Sequence, residues 1–121
     1  MITTVGLNLL RNALAGDVSP DVNYFAVGDD NTAVTGTETT LGNETLRVQL
    51  SSDGTPLDGD WNSVWDILDS DGALTIREIG WFSNGTASAD SGVLISRILY
   101  SRDKTTLESI QFNRTDTIGR G

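Results

Sequence analysis

A chain of 121 residues is long enough for one domain with its own hydrophobic core, and its 8 basic against 17 acidic residues give a net charge of −9. That charge repels nucleic acid and anionic membrane surfaces, so neither is an expected partner. The sequence holds no Cys and no His, which excludes disulfides, thiolate or imidazole catalysis, and metal centres built on those ligands.

Lys104 is the only lysine beside seven arginines, a bias that a high-salt habitat or a GC-rich genome would produce. No apolar run approaches the roughly 18 residues that cross a bilayer, and the opening MITTVGLNLL lacks the positive stretch of a secretion signal. The expected product is a soluble, single-domain protein over residues 1–121, made in the cytoplasm.

The first element reads as an amphipathic helix over about residues 3–15. Thr3 or Thr4 serves as N-cap, Leu7, Leu10 and Leu14 form one apolar face to pack on a sheet, and Gly16 ends it. Ser19, Pro20 and Asp21 turn the chain into a strand over 22–28, apolar on both faces and therefore central. Asp29 to Gly42 is too polar for a core and reads as a surface loop. In the strand at 45–50, Leu46, Val48 and Leu50 alternate with Thr45, Arg47 and Gln49, the period of a half-buried strand. Ser51 to Gly59 is another loop.

A strand over 61–68, the turn signal DSDG and a strand over 73–82 are expected to form a hairpin. Strands over 93–101 and 106–112 follow, joined by Arg102 to Lys104. About six short strands and one helix predict a mainly β fold, a β-sandwich or flattened barrel with the N-terminal α-helix on one side.

The order of GLNLLRNALAG (Gly6 to Gly16), YFAVGDD (Tyr24 to Asp30), TLGNETLR (Thr40 to Arg47), IREIGWF (Ile76 to Phe82) and GVLISRILYS (Gly92 to Ser101) resembles the N-terminal tail-collar fibre domain of tailed bacteriophages and related tailed viruses. Each motif is weak alone; their order is the specific signal, and it covers nearly the whole chain. The resemblance implies a virion structural protein at the tail, baseplate or fibre base. It would assemble as a homo-oligomer, a trimer if at a fibre, with other virion proteins as partners and no cofactor. Two departures stand out: Trp81 replaces a smaller apolar residue, and Asp30 follows Gly28 and Asp29 where a second glycine is common. A fibre would continue into a shaft beyond Gly121, so an adaptor is expected rather than a receptor-binding fibre. Alternatives are a capsid decoration or turret subunit, and a carbohydrate-binding module that holds host-surface glycans on exposed Trp.

Several residues stand out individually. Gly80 interrupts a strand, which marks a bulge or a close approach by another group. Asn43, Glu44 and Arg47 read as a turn followed by an ion pair. Arg77, Glu78 and Arg97 lie in apolar strands, where burying an unpaired charge is costly, so Glu78 is expected to pair with a core-strand arginine. Trp61, Trp65 and Trp81 are core residues or interface candidates. The stretch Ile67 to Glu78 has the spacing of a calcium loop at Asp69, Asp71, Gly72 and Glu78, but Ile67 stands where the first acidic ligand belongs. Sequons occur at Asn43, Asn84 and Asn113, with Asn84 the best placed. The carboxylate pairs Asp29 with Asp30 and Asp58 with Asp60 sit in polar loops that offer no enclosed cleft to separate their pKa values, so no catalytic residue is assigned and no enzyme is expected.

Overall fold

In the computed structural model, which describes residues 1–120, the chain runs α1 (Thr4–Leu14), β1 (Val22–Gly28), β2 (Glu44–Gln49), β3 (Ser52–Gly54), β4 (Asp60–Ile67), a 3-10 turn (Asp69–Asp71), β5 (Leu74–Ser83), β6 (Val93–Lys104) and β7 (Ile110–Thr117). The fold is mainly β. Two antiparallel sheets, ordered β2-β1-β5-β6 and β3-β4-β7, form a sandwich that does not close into a barrel.

Burial patterns explain which strand went where. β4 buries Ser63, Trp65 and Ile67 and half-exposes the residues between them, the alternation of a strand covered on one face. β1 and β5 are buried almost continuously and occupy the two central positions of the larger sheet, covered on both faces. Between the sheets Phe25, Ile76, Ile79 and Trp81 of the larger sheet pack with Trp65, Ile67 and Ile110 of the smaller. The Phe25 ring is the hub of this cluster, 4.7 Å from Phe112 and 5.1 Å from Trp81. Tilted aromatic pairs of this kind add about 0.5–1.5 kcal/mol each beyond their burial.

The expected hairpin of β4 with β5 does not form. DSDG carries the chain from one sheet to the other, with Asp71 accepting the Leu68 amide at 2.8 Å. Crossing lets Trp65 and Ile67 face Phe25 and Ile76 instead of lying beside them in one sheet. The last strand is also displaced from the expected 106–112. Thr105 to Ser109 is a turn, closed by Glu108, which accepts the Thr105 amide at 2.9 Å and pairs with Arg102 at 2.9 Å. Arg102 to Lys104 belong to β6, and Lys104 is 2 % exposed, its Nζ donating to the carbonyls of Gly72 and Thr105. β3 arises inside the expected loop 51–59.

The helix has its expected caps. Thr3 accepts from the Gly6 amide at 3.0 Å, and Gly16 takes φ +81°, a left-handed conformation open to glycine. Its buried face is turned away from the one expected: Gly6 and Leu9 are buried, whereas Leu7, Leu10 and Leu14 are exposed. Gly6 explains this, since a Cβ there would stand 2.7 Å from the Ile95 carbonyl oxygen. The helix docks on β6 through Gly6 and Leu9 and leaves Leu7, Leu10 and Leu14 outside. Ahead of it, Thr3 donates its amide to Ile95 at 2.9 Å and Arg97 donates to Met1 at 3.2 Å, so residues 1–3 line the outer edge of β6.

Candidate functional site

The charges expected to need partners have found them. Glu78, on β5, is fully buried, and its carboxylate accepts four hydrogen bonds: Arg97 Nε at 2.9 Å and the Gly42 amide at 2.7 Å on Oε1, the Asn43 amide at 2.9 Å and the Asp30 amide at 3.1 Å on Oε2. Arg97, from the adjacent β6, extends past it to the Thr32 carbonyl at 2.9 Å and to Glu38 at 3.2 Å. One ion pair thus holds both ends of the loop Asp29–Asn43, which has no regular structure of its own. Burial pushes the Glu38 carboxyl up, but hydrogen bonds from its own amide, from Thr35 and from the Gly36 amide outweigh it and hold the pKa at about 2. Gly36 in turn accepts the Thr4 amide at 2.8 Å, connecting the loop to the start of α1.

A second cluster lies along β2. Arg47 meets Glu44 through two parallel bonds of 2.7 and 2.8 Å, donates to Thr86 and Ser91 in the 84–92 loop, and lies 4.6 Å from the Phe82 ring centroid. Asn43, at a bend just before β2, donates to Asp29 at 2.7 Å, and the ion pair expected at Glu44 and Arg47 is present. Arg77 meets Asp103 at 2.9 Å on the surface. At Gly80 an added Cβ would sit 2.8 Å from Leu41 and 3.1 Å from the Ser96 carbonyl, so this glycine lets the loop residue Leu41 close over the sheet.

Glu78 is engaged in the hub, while Asp69 and Asp71 cap their own turn, so the three do not converge as calcium ligands; among the described residues no group of acidic side chains is arranged to hold a metal. Trp65 and Trp81 are buried in the core, which removes them as interface or glycan-stacking candidates. Trp61 alone is part-exposed, its Nε1 donating to Asp53 at 2.9 Å. The Asn84 side chain is occupied, accepting the Asp21 amide at 2.8 Å and donating to Ser19. Asp29 accepts from Asn43 and Asp30 from Thr32, each in a loop-fastening role. Hydrogen bonding to the Thr32 hydroxyl, then to its amide, lowers the Asp30 pKa.

A surface feature with room for a ligand lies elsewhere. A groove of about 660 Å³ runs between α1 and the smaller sheet at one open end of the sandwich, lined by Leu10, Ile95, Leu57, Trp61 and Ile118 and bordered by Asp58, Asp60 and Asp116. Arg114 also lines it, paired with Asp116 at 2.9 Å and set 4.5 Å from the Trp81 ring. Its residues come from both ends of the chain and from a loop in between, so no local motif marks it.

The geometry therefore offers a contact surface, with the strongest acid–base pair locked inside and saturated. Comparison with known protein families, with curated proteins and with solved structures finds no match for this chain.

Proposed function

We propose that this protein is a structural subunit of a tailed virus that serves as an attachment or adaptor piece at the tail, baseplate or fibre base. One observation carries the reading. Four of the five ordered segments on which the resemblance rests come together around Glu78: GDD supplies the Asp30 amide, LGNE the Gly42 and Asn43 amides, REIG the carboxylate, and LISR the Arg97 guanidinium. Segments scattered over most of the chain thus act as one unit, which supports reading them together as one signature rather than as separate short motifs. The fifth segment forms α1, which fastens to the same loop through Gly36.

In this reading the hub makes a polar loop rigid, so that the domain presents a fixed outline to neighbouring subunits. Copies of the chain and other virion proteins are the partners, and many modest contacts add through multivalency. The test is immunogold labelling and mass spectrometry of purified particles of the virus that encodes the chain. Label on the tail or baseplate supports the role, label on the head moves the subunit to a capsid decoration or turret, and absence from assembled particles overturns the proposal.

A further inference from the structure

We infer that the groove between α1 and the smaller sheet is a docking surface for an amphipathic segment of another protein, one that carries Lys or Arg beside its apolar residues. This rests on the attachment reading only in that the chain works by contact, and it adds which face is used and what that face accepts. The apolar lining is unusually open. Leu57 is 69 % exposed, Ile118 86 % and Leu10 45 %, and the stripe continues along α1 through Leu7 and Leu14. Contiguous exposed apolar surface with a polar rim marks an interaction site more often than a bare monomer surface.

The rim selects the occupant. Asp58, Asp60 and Asp116 border the groove, and the single guanidinium there, Arg114, is already paired with Asp116 and stacked on Trp81. A second copy of this chain would set the same carboxylates against each other on bodies that each carry −9. A basic amphipathic segment meets the opposite condition: its apolar residues enter between Leu10, Leu57 and Ile118 while its cations reach the aspartates, the helix-in-groove mode of recognition. The walls are preset for this. Asp53 fixes the Trp61 indole, and Ile118 donates its amide to Gly59 at 2.8 Å, holding one corner closed.

The experiment uses the full chain and two synthetic peptides of about 14 residues, some four helical turns, with identical leucine faces and either Lys or Glu on the polar face. Binding is read by calorimetry and by tryptophan fluorescence, to which Trp61 contributes the groove signal. The Lys peptide should bind about tenfold or more tightly than the Glu peptide. The double variant L57S/I118S, altered only at exposed positions, should keep its melting temperature and lose about tenfold in affinity. D58N/D60N should bind more weakly, with a flatter dependence on salt. Equal affinity of L57S/I118S and the parent would overturn the inference, because attraction would then be to charge alone. So would absence of binding, or a dimer of the parent that L57S/I118S dissolves in sedimentation. These outcomes are independent of whether the protein occurs in particles, so failure here and failure of the virion assignment are separable.

Discussion

The hub around Glu78 and the groove beside α1 invert the usual partition of side chains in opposite ways. In the first, a carboxylate and a guanidinium are buried; in the second, leucines and an isoleucine stand in water. Burying the charges is sustainable because every carboxylate lone pair has a donor, so that desolvation is offset by hydrogen bonds as well as by the ion pair. Exposing the leucines is sustainable because the helix is already anchored by Thr3, Gly6 and Leu9 and does not depend on them. The difference teaches that the hub belongs to folding and the groove to recognition.

Substitution separates the two regions most sharply. Arg97→Ala leaves Glu78 charged and buried without its counter-ion and is expected to cost about 3–5 kcal/mol in urea unfolding; a loss under about 1 kcal/mol would show that the backbone amides alone hold the carboxylate. Gly80→Ala drives a methyl group toward Leu41, Leu94 and the Ser96 carbonyl and should cost about 1–3 kcal/mol by the same measurement. Thr3→Ala removes the cap of α1 together with its bond to the Leu94 carbonyl and should cost about 1 kcal/mol or somewhat more.

Acid tests the hub's outer shell. The Glu38 pKa, ordinarily 4.5, is held at about 2 in the fold, so the folded chain binds its proton less readily than the unfolded chain does. Its contribution is complete above pH 4.5 and is lost as pH falls through about 2. Glu38→Gln should therefore flatten that part of the acid limb in a pH series of thermal melts, and an unchanged limb would assign the loss to other carboxylates. At the small end, Leu7→Ser and Leu14→Ser should each stay within about 0.5 kcal/mol of the parent. A larger loss would move the exposed stripe from recognition to folding.

Much of this was legible in the residues. The alternation of Leu46, Val48 and Leu50, the double-faced burial of β1, the cap at Thr3 and the pairing of Glu78 follow from periodicity and from the cost of an unpaired charge. What was not legible depends on partners distant in sequence. β7 was misplaced because its inward positions after Phe112 are Arg114 and Asp116, which give no apolar alternation; Arg114 packs against Trp81 and Asp116 pairs with Arg114. The helix face was misassigned because Leu7, Leu10 and Leu14 have the spacing of a buried stripe, while the close contact of Gly6 with Ile95 is invisible in composition. Glu38 and Gly42 looked like ordinary loop residues until Arg97 and Glu78 were placed against them.

Lys104 has a consequence at the bench. It is the chain's only lysine, and its ammonium is enclosed by the Gly72 and Thr105 carbonyls, while the amino group of Met1 donates to the Arg97 carbonyl at 3.0 Å. Amine-directed reagents, the common choice for tracing neighbours in large assemblies, therefore meet no exposed lysine on the folded protein. Carbodiimide coupling through its many surface aspartates is the chemistry that would capture what sits beside it.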